Sequence, residues 1–141
     1  MLQIIHSEEL KTSTGKTFLK IKYNSNENWI YTDWIGYPTP ENVAKGAIAY
    51  LEAMQANNLN RVLNDNRNLV GRWDNALDWV EQVWLPIAIK AGLKRFAHIT
   101  HQDSLSFKAA SIMQNLIRSH IEMRVFTDPE AAKLWLREHT N

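Results

Sequence analysis

Asn60 to Gly92 read NRVLNDNRNLVGRWDNALDWVEQVWLPIAIKAG, and this stretch decides the fold class. Arg61 to Asn64 opens as a buried strand around Val62 and Leu63. A polar turn follows, and then the apolar residues recur at helical spacing from Asp74 to Ala91. Gly92 suits the left-handed residue that closes a helix. A strand running into a charged turn and a helix is the usual functional edge of an α/β sheet, where ligands gather beyond the strand's carboxyl end.

Upstream, the periodicity is that of strands. Leu2 to His6 is a short apolar run, and Thr12 to Lys16 is a turn in which Gly15 is free to take positive φ. Phe18 to Tyr23 alternates, with Leu19, Ile21 and Tyr23 opposite Lys20 and Lys22. After the turn Asn24 to Asn28, Trp29 to Ile35 alternates again, which predicts a three-stranded antiparallel meander. Thr39 is the expected N-cap of a first helix, with Pro40 at its first position and Val43, Ala47, Tyr50, Leu51 and Met54 turned inward.

Downstream, Arg95 to Thr100 reads as a strand and Ser106 to Ser119 as a helix, with Ala109, Ile112, Met113 and Leu116 inward and Asp103 or Ser104 as its cap. Ile121 to Phe126 is a last strand. Asp128 and Pro129 repeat the cap-plus-proline signature before a helix from Glu130 to His139. A meander followed by βα units predicts one α/β domain over residues 1–141, with a mixed sheet, parallel in its C-terminal half, and about four packed helices.

Composition narrows the function classes. The chain has no cysteine, which removes disulfides, thiolate metal sites and cysteine nucleophiles and suits a reducing cytoplasm. Sixteen basic residues face fifteen acidic ones with no run of either sign, so a nucleic-acid partner is not expected. The opening MLQIIHSEEL lacks the features of a signal peptide, and no run of about 20 apolar residues could span a membrane. A cytoplasmic protein is the expectation.

On a helical wheel, Trp73, Ala76, Val80, Val83, Trp84, Ile87 and Ala91 form the core-facing stripe. Trp79 lies at its margin. Leu85 and Ile89 fall on the far side beside Asp78 and Gln82, and with Trp79 they are the candidate interface for a protein partner or a second copy of the chain. The competing reading is that Pro86 kinks the helix and turns both aliphatic residues inward. Trp29 and Trp34 lie on opposite faces of one strand, so burying both requires cover on both sides of the sheet.

Asn64, Asp65, Arg67 and Asn68 follow the central strand, with Arg72 and Trp73 as one wall of the same cleft. Asn64, Asp65, Arg67, Arg72 and Trp73 are the candidate ligand-binding residues, since an arginine, an aspartate and amides can hold a polar group. The alternative is that Asp65 and Arg67 pair with each other and the asparagines serve the turn. His98, His101 and Asp103 are poorly spaced for zinc, and no metal or other cofactor is expected. The sequence has no GxSxG, P-loop, GxGxxG or HExxH, so no catalytic residue is assigned and an enzyme is not expected.

Several strings resemble the SpoIIAA-like branch of the STAS family, the fold of bacterial anti-sigma-factor antagonists. They are VLNDNR (Val62 to Arg67), WVEQVWLP (Trp79 to Pro86), AGLKRFAHIT (Ala91 to Thr100) and VFTDPEAAKLWL (Val125 to Leu136), and the resemblance runs from about Trp29 onward. It implies a non-enzymatic regulatory or protein-interaction module. The antagonists are switched by phosphorylation at a string that matches Asp74-Asn75-Ala76-Leu77 here, and neither Asn75 nor Ala76 can accept phosphate. The branch is also linked to small apolar or lipid-like ligands, so the alternative function is that of a ligand carrier or sensor. Fold alone does not choose between them. The expected difference is structural: a carrier needs an apolar cavity, and a module needs a filled core with an exposed patch.

Overall fold

Alternation in the first third of the chain does build antiparallel strands. The computed structural model describes residues 4–71 and 73–138. β1 (Ile4–Lys11), β2 (Thr17–Asn24) and β3 (Ile30–Gly36) form the meander, and the chain then continues through α1 (Pro40–Ala56), β4 (Arg61–Leu69), α2 (Leu77–Trp79), α3 (Leu85–Ala91), β5 (Arg95–Ile99), α4 (Leu105–Ile117), β6 (Glu122–Phe126) and α5 (Pro129–Arg137). The six strands lie side by side in chain order; β1 to β3 are antiparallel, and β3 to β6 are parallel. This is the mixed α/β sheet the periodicity predicts.

Sequential parallel strands joined by right-handed crossovers place all their connections on one face. The core on that face accordingly gathers Tyr50 and Met54 of α1, Val80, Trp84 and Ala88, and Met113 and Ile117 of α4 over Ile21, Ile30, Val62 and Phe96 of the sheet. α5, which follows β6, covers the opposite face, where Ala132, Trp135 and Leu136 pack on Trp29, Leu63, Ala97 and Ile99. Trp29 and Trp34 are therefore both buried, one in each layer. Arg61 and Arg95 fix the end of α5 from below: their guanidinium groups donate to the carbonyls of Leu136 and Trp135, which a helix C-terminus leaves without partners.

The caps fall where the side chains direct them. Thr39 accepts from the Asn42 amide, Ser104 from Phe107 and Asp128 from Glu130. Gly92 closes α3 at φ 91°. Gly46 is different. A Cβ there would stand 2.4 Å from Trp34 Cη2, so the glycine lets α1 approach the sheet.

The long helix departs from the regular reading. Its course is a 3₁₀ turn at Asp74–Ala76, an α turn, a π turn at Val80–Trp84 and then α3. Pro86 explains the π turn. It has no amide to donate and its ring would collide with the carbonyl four residues back. The Leu85 amide reaches back to the Val80 carbonyl, and the ladder restarts with Pro86 in the first turn of α3, where no donor is required. The inserted residue rotates everything beyond it. Leu85, expected on the outer face, is buried at 7% exposure beside Ala88, whereas Val83 and Ile87, expected in the core, are exposed at 43% and 39%. The kink reading holds for Leu85 but not for Ile89, which stays outside at 44%. Leu85 is thus withdrawn as an interface residue. In α4, Ile112 is likewise exposed, because Ser106, Ala109, Ala110, Met113 and Ile117 make the buried stripe.

Candidate functional site

The central strand is longer than its composition suggests. Asparagine and aspartate are depleted in strands, yet β4 runs on through Asn64, Asp65, Asn66, Arg67 and Asn68 to Leu69. These residues therefore alternate between the two faces of the sheet instead of clustering in a turn. The candidate ligand residues split accordingly. Asn64 joins Trp73 on the face of α1, and Asp65 joins Arg67 on the face of α5. Arg72 lies outside the described residues.

On the α5 face, Asp65 is paired. Arg67 donates from Nε and Nη2 to both carboxylate oxygens at 2.7 to 3.2 Å, and its backbone amide adds a 3.0 Å bond. Tyr31 donates its hydroxyl to Oδ2 at 2.7 Å. Burial pushes the Asp65 carboxyl up, but these donors outweigh it and hold the group below the usual carboxylate range. Burial and the carboxylate together push the Tyr31 phenol well up. Arg67 and Tyr31 line a groove of about 180 Å³ that also meets Lys22, Glu27 and Lys133.

The α1 face holds the more unusual arrangement. Thr32, Asn64 and His98 are register partners across β3, β4 and β5, so three polar side chains stand in a row inside a buried sheet. Hydrogen bonds explain how the row is tolerated. Asn64 Oδ1 accepts from Thr32 Oγ1 and from Trp34 Nε1, each at 2.7 Å. An indole nitrogen can only donate, so the Asn64 amide has one orientation. Its Nδ2 then donates to His98 Nδ1 at 3.0 Å, which places the imidazole proton on Nε2. Burial pushes His98 down to about 4, so the ring is neutral at ordinary pH. Asn66 extends the network by donating to Ser106 Oγ at 3.0 Å, and Trp73 Nε1 donates to the same oxygen at 3.2 Å.

Beside this row lies a cavity of about 50 Å³ at the carboxyl ends of the parallel strands. Val43, Ala47 and Tyr50 of α1 form one wall, Trp34, Asn64, Asn66 and Phe96 the floor, and Trp73, Trp79, Val80 and Trp84 the roof. Four of the six tryptophans border it. Trp79, assigned to a partner surface, is half-buried here, and Trp73 lies where the ligand reading placed it. Two buried donors near the cavity, Trp84 Nε1 and His98 Nε2, have no hydrogen-bond partner among the described residues. Burial pushes the Tyr50 phenol far up and the nearby Trp84 indole acts the other way, yet the indole makes no hydrogen bond of normal geometry to it. Sequence reasoning missed Thr32, Asn66 and Ser106, and weighed His98 only against a metal role. Their common signal is a polar residue inside a buried strand or on a buried helix face.

The arrangement of sheet and helices matches a known structure: an uncharacterized DUF3478-family protein from Shewanella loihica PV-4 with a SpoIIAA-like fold. The two are 20% identical over 96% of this chain and 95% of that one, with a TM-score of 0.50. The fold is SpoIIAA-like. No protein-family model and no curated protein matches the chain. No helix among the described residues is long and apolar enough to cross a membrane, and none of their histidine and carboxylate side chains cluster in threes as a metal site would need. The SpoIIAA-like chain thus carries its most developed internal site between α1, the π turn and the strand ends.

Proposed function

We propose that this chain is a non-enzymatic module that binds a small, largely apolar molecule in the cleft between α1 and the segment 73–84. One observation carries the reading: the cavity beside two unsatisfied buried donors. Leaving such donors unpaired costs about 1–3 kcal/mol each, whereas most pockets built for ligands combine apolar walls with a few placed polar groups. Part of the roof, Val80 and Trp84, belongs to a π turn, a form that recurs at functional sites. No catalytic group is required, and Trp84 Nε1 serves recognition.

Native mass spectrometry of protein purified without denaturant tests this. A reproducible adduct that disappears in a Gly46→Ala variant, in which the new methyl displaces the cavity-lining Trp34, supports the reading. Bare protein that also binds no apolar probe counts against it. The second reading is an interaction module. It rests on the exposed Val83, Ile87 and Ile89 and gains ground if the bare protein is a dimer that Ile87→Lys dissociates.

A further inference from the structure

We propose that the ligand of this cleft presents an uncharged hydrogen-bond acceptor, such as a carbonyl, ether or ring-nitrogen group, to Trp84 Nε1, the unpartnered donor that borders the cavity. The inference rests on the cleft reading above and adds the polarity of the occupant.

The hydrogen-bond network leaves little choice of sign. Trp34 and Trp73 can only donate, and they fix Asn64 Oδ1 and Ser106 Oγ as acceptors. From there the order runs Asn64 Nδ2 to His98 Nδ1, and the imidazole ends in an N–H. His98 packs against Trp73 and Phe96 with ring centroids 5.9 and 6.3 Å away, and both rings border the cavity. Trp84 borders it directly and is 1% exposed, as is His98. The acceptors of the row are thus consumed within the protein, while Trp84 Nε1 at the cavity and His98 Nε2 behind its lining are left over; the Tyr50 hydroxyl on the same wall can either donate or accept. A molecule that offers only donors would add to an unpaired surplus; one that offers an acceptor removes it.

Charge is excluded on the same ground. None of the described residues lining the cavity is charged. A carboxylate placed there would lose its hydration without a counter-ion, at a cost far above that of a neutral carbonyl.

Three five-membered rings of similar size test the proposal in the intact protein: cyclopentanone, with an acceptor only; pyrrole, whose N–H only donates; and cyclopentane, with neither. Binding is read from the indole N–H signals in ¹⁵N–¹H NMR spectra. Cyclopentanone is expected to bind about tenfold more tightly than either other ring, the effect of one added hydrogen bond. It should also move the Trp84 indole proton downfield. Equal affinities, or a preference for pyrrole, would overturn the acceptor assignment and leave the cleft reading standing. If no ring perturbs Trp34, Trp73, Trp79 or Trp84, both fall. A long-range ¹⁵N spectrum of His98 gives an independent check. The Nε2–H tautomer is expected, and Nδ1–H would overturn the inference.

Discussion

Arg67→Ala separates a ligand-binding arginine from one that belongs to the fold. The Asp65 side chain is 1% exposed, and Arg67 supplies three side-chain contacts to its two oxygens. Removing one partner of a buried ion pair costs roughly 3–5 kcal/mol. The loss is smaller here. Arg67 is 37% exposed, so water reaches the gap, and the Tyr31 hydroxyl and the residue-67 amide still donate. About 2–3 kcal/mol remains, or a fall in Tm of roughly 6–12 °C for a chain of this size. The pH dependence gives the stricter test. In the native protein the Asp65 value is depressed, so its contribution is present above the unfolded carboxylate range and lost only as pH falls through the lower folded value. In the variant, burial dominates and raises the folded value. Variant stability should then recover as pH falls toward about 4, where an unfolded aspartate begins to protonate. The Tm gap between the two proteins, followed by circular dichroism from about pH 7 to pH 4, should therefore narrow. A gap below about 2 °C at neutral pH, or one that does not change with pH, would refute the structural role and free Arg67 for a ligand.

Other perturbations probe the remaining parts of the site. Gly46→Ala gains about 1 kcal/mol in helix propensity but meets Trp34 and Leu19 at 2.4 and 2.8 Å, so a net loss of about 1–2 kcal/mol is expected; a rise in Tm would show that the sheet and α1 yield easily. His98 is buried with a folded value of about 4, below its unfolded value near 6.5. Stability is thus complete above the upper value and declines as pH falls between the two; His98→Gln should flatten that slope, and an unaltered slope would place the titration elsewhere. Pro86→Ala restores the missing amide donor. The π turn should then relax and shift the Trp84 indole signal while Tm changes by no more than about 3 °C, and an unmoved signal would show that packing alone sets the turn.

Much of the fold was legible because its signals are local. Alternation in Phe18 to Tyr23, the Thr39-Pro40 and Asp128-Pro129 caps and the closing Gly92 each act within a few residues, and each appears where its chemistry directs. The rotation beyond Val80 was harder to see. A proline tells that the ladder must break, but not whether a kink or an inserted residue resolves the break, and only insertion exposes Val83 while burying Leu85. The site was the least visible. Thr32, Asn64 and His98 meet through strand register across three parallel strands, with hydrogen-bonded neighbours 32 and 34 positions apart in the sequence. Strand propensity misled as well, since NDNRN has the composition of a turn. Side-chain bonds across the sheet offset that preference and carry β4 on to Leu69, which divides Asn64 from Asp65.

The cleft itself is tested most directly by diffraction from crystals pressurised with xenon, an apolar atom that settles in apolar cavities. A single strong xenon peak is expected between α1 and the π turn, in contact with Val43, Ala47, Val80, Trp84 and Met113. Crystals that take up no xenon there, or only beneath the exposed Val83 and Ile87, would contradict a ligand cleft and return the function to the outer face of the helix.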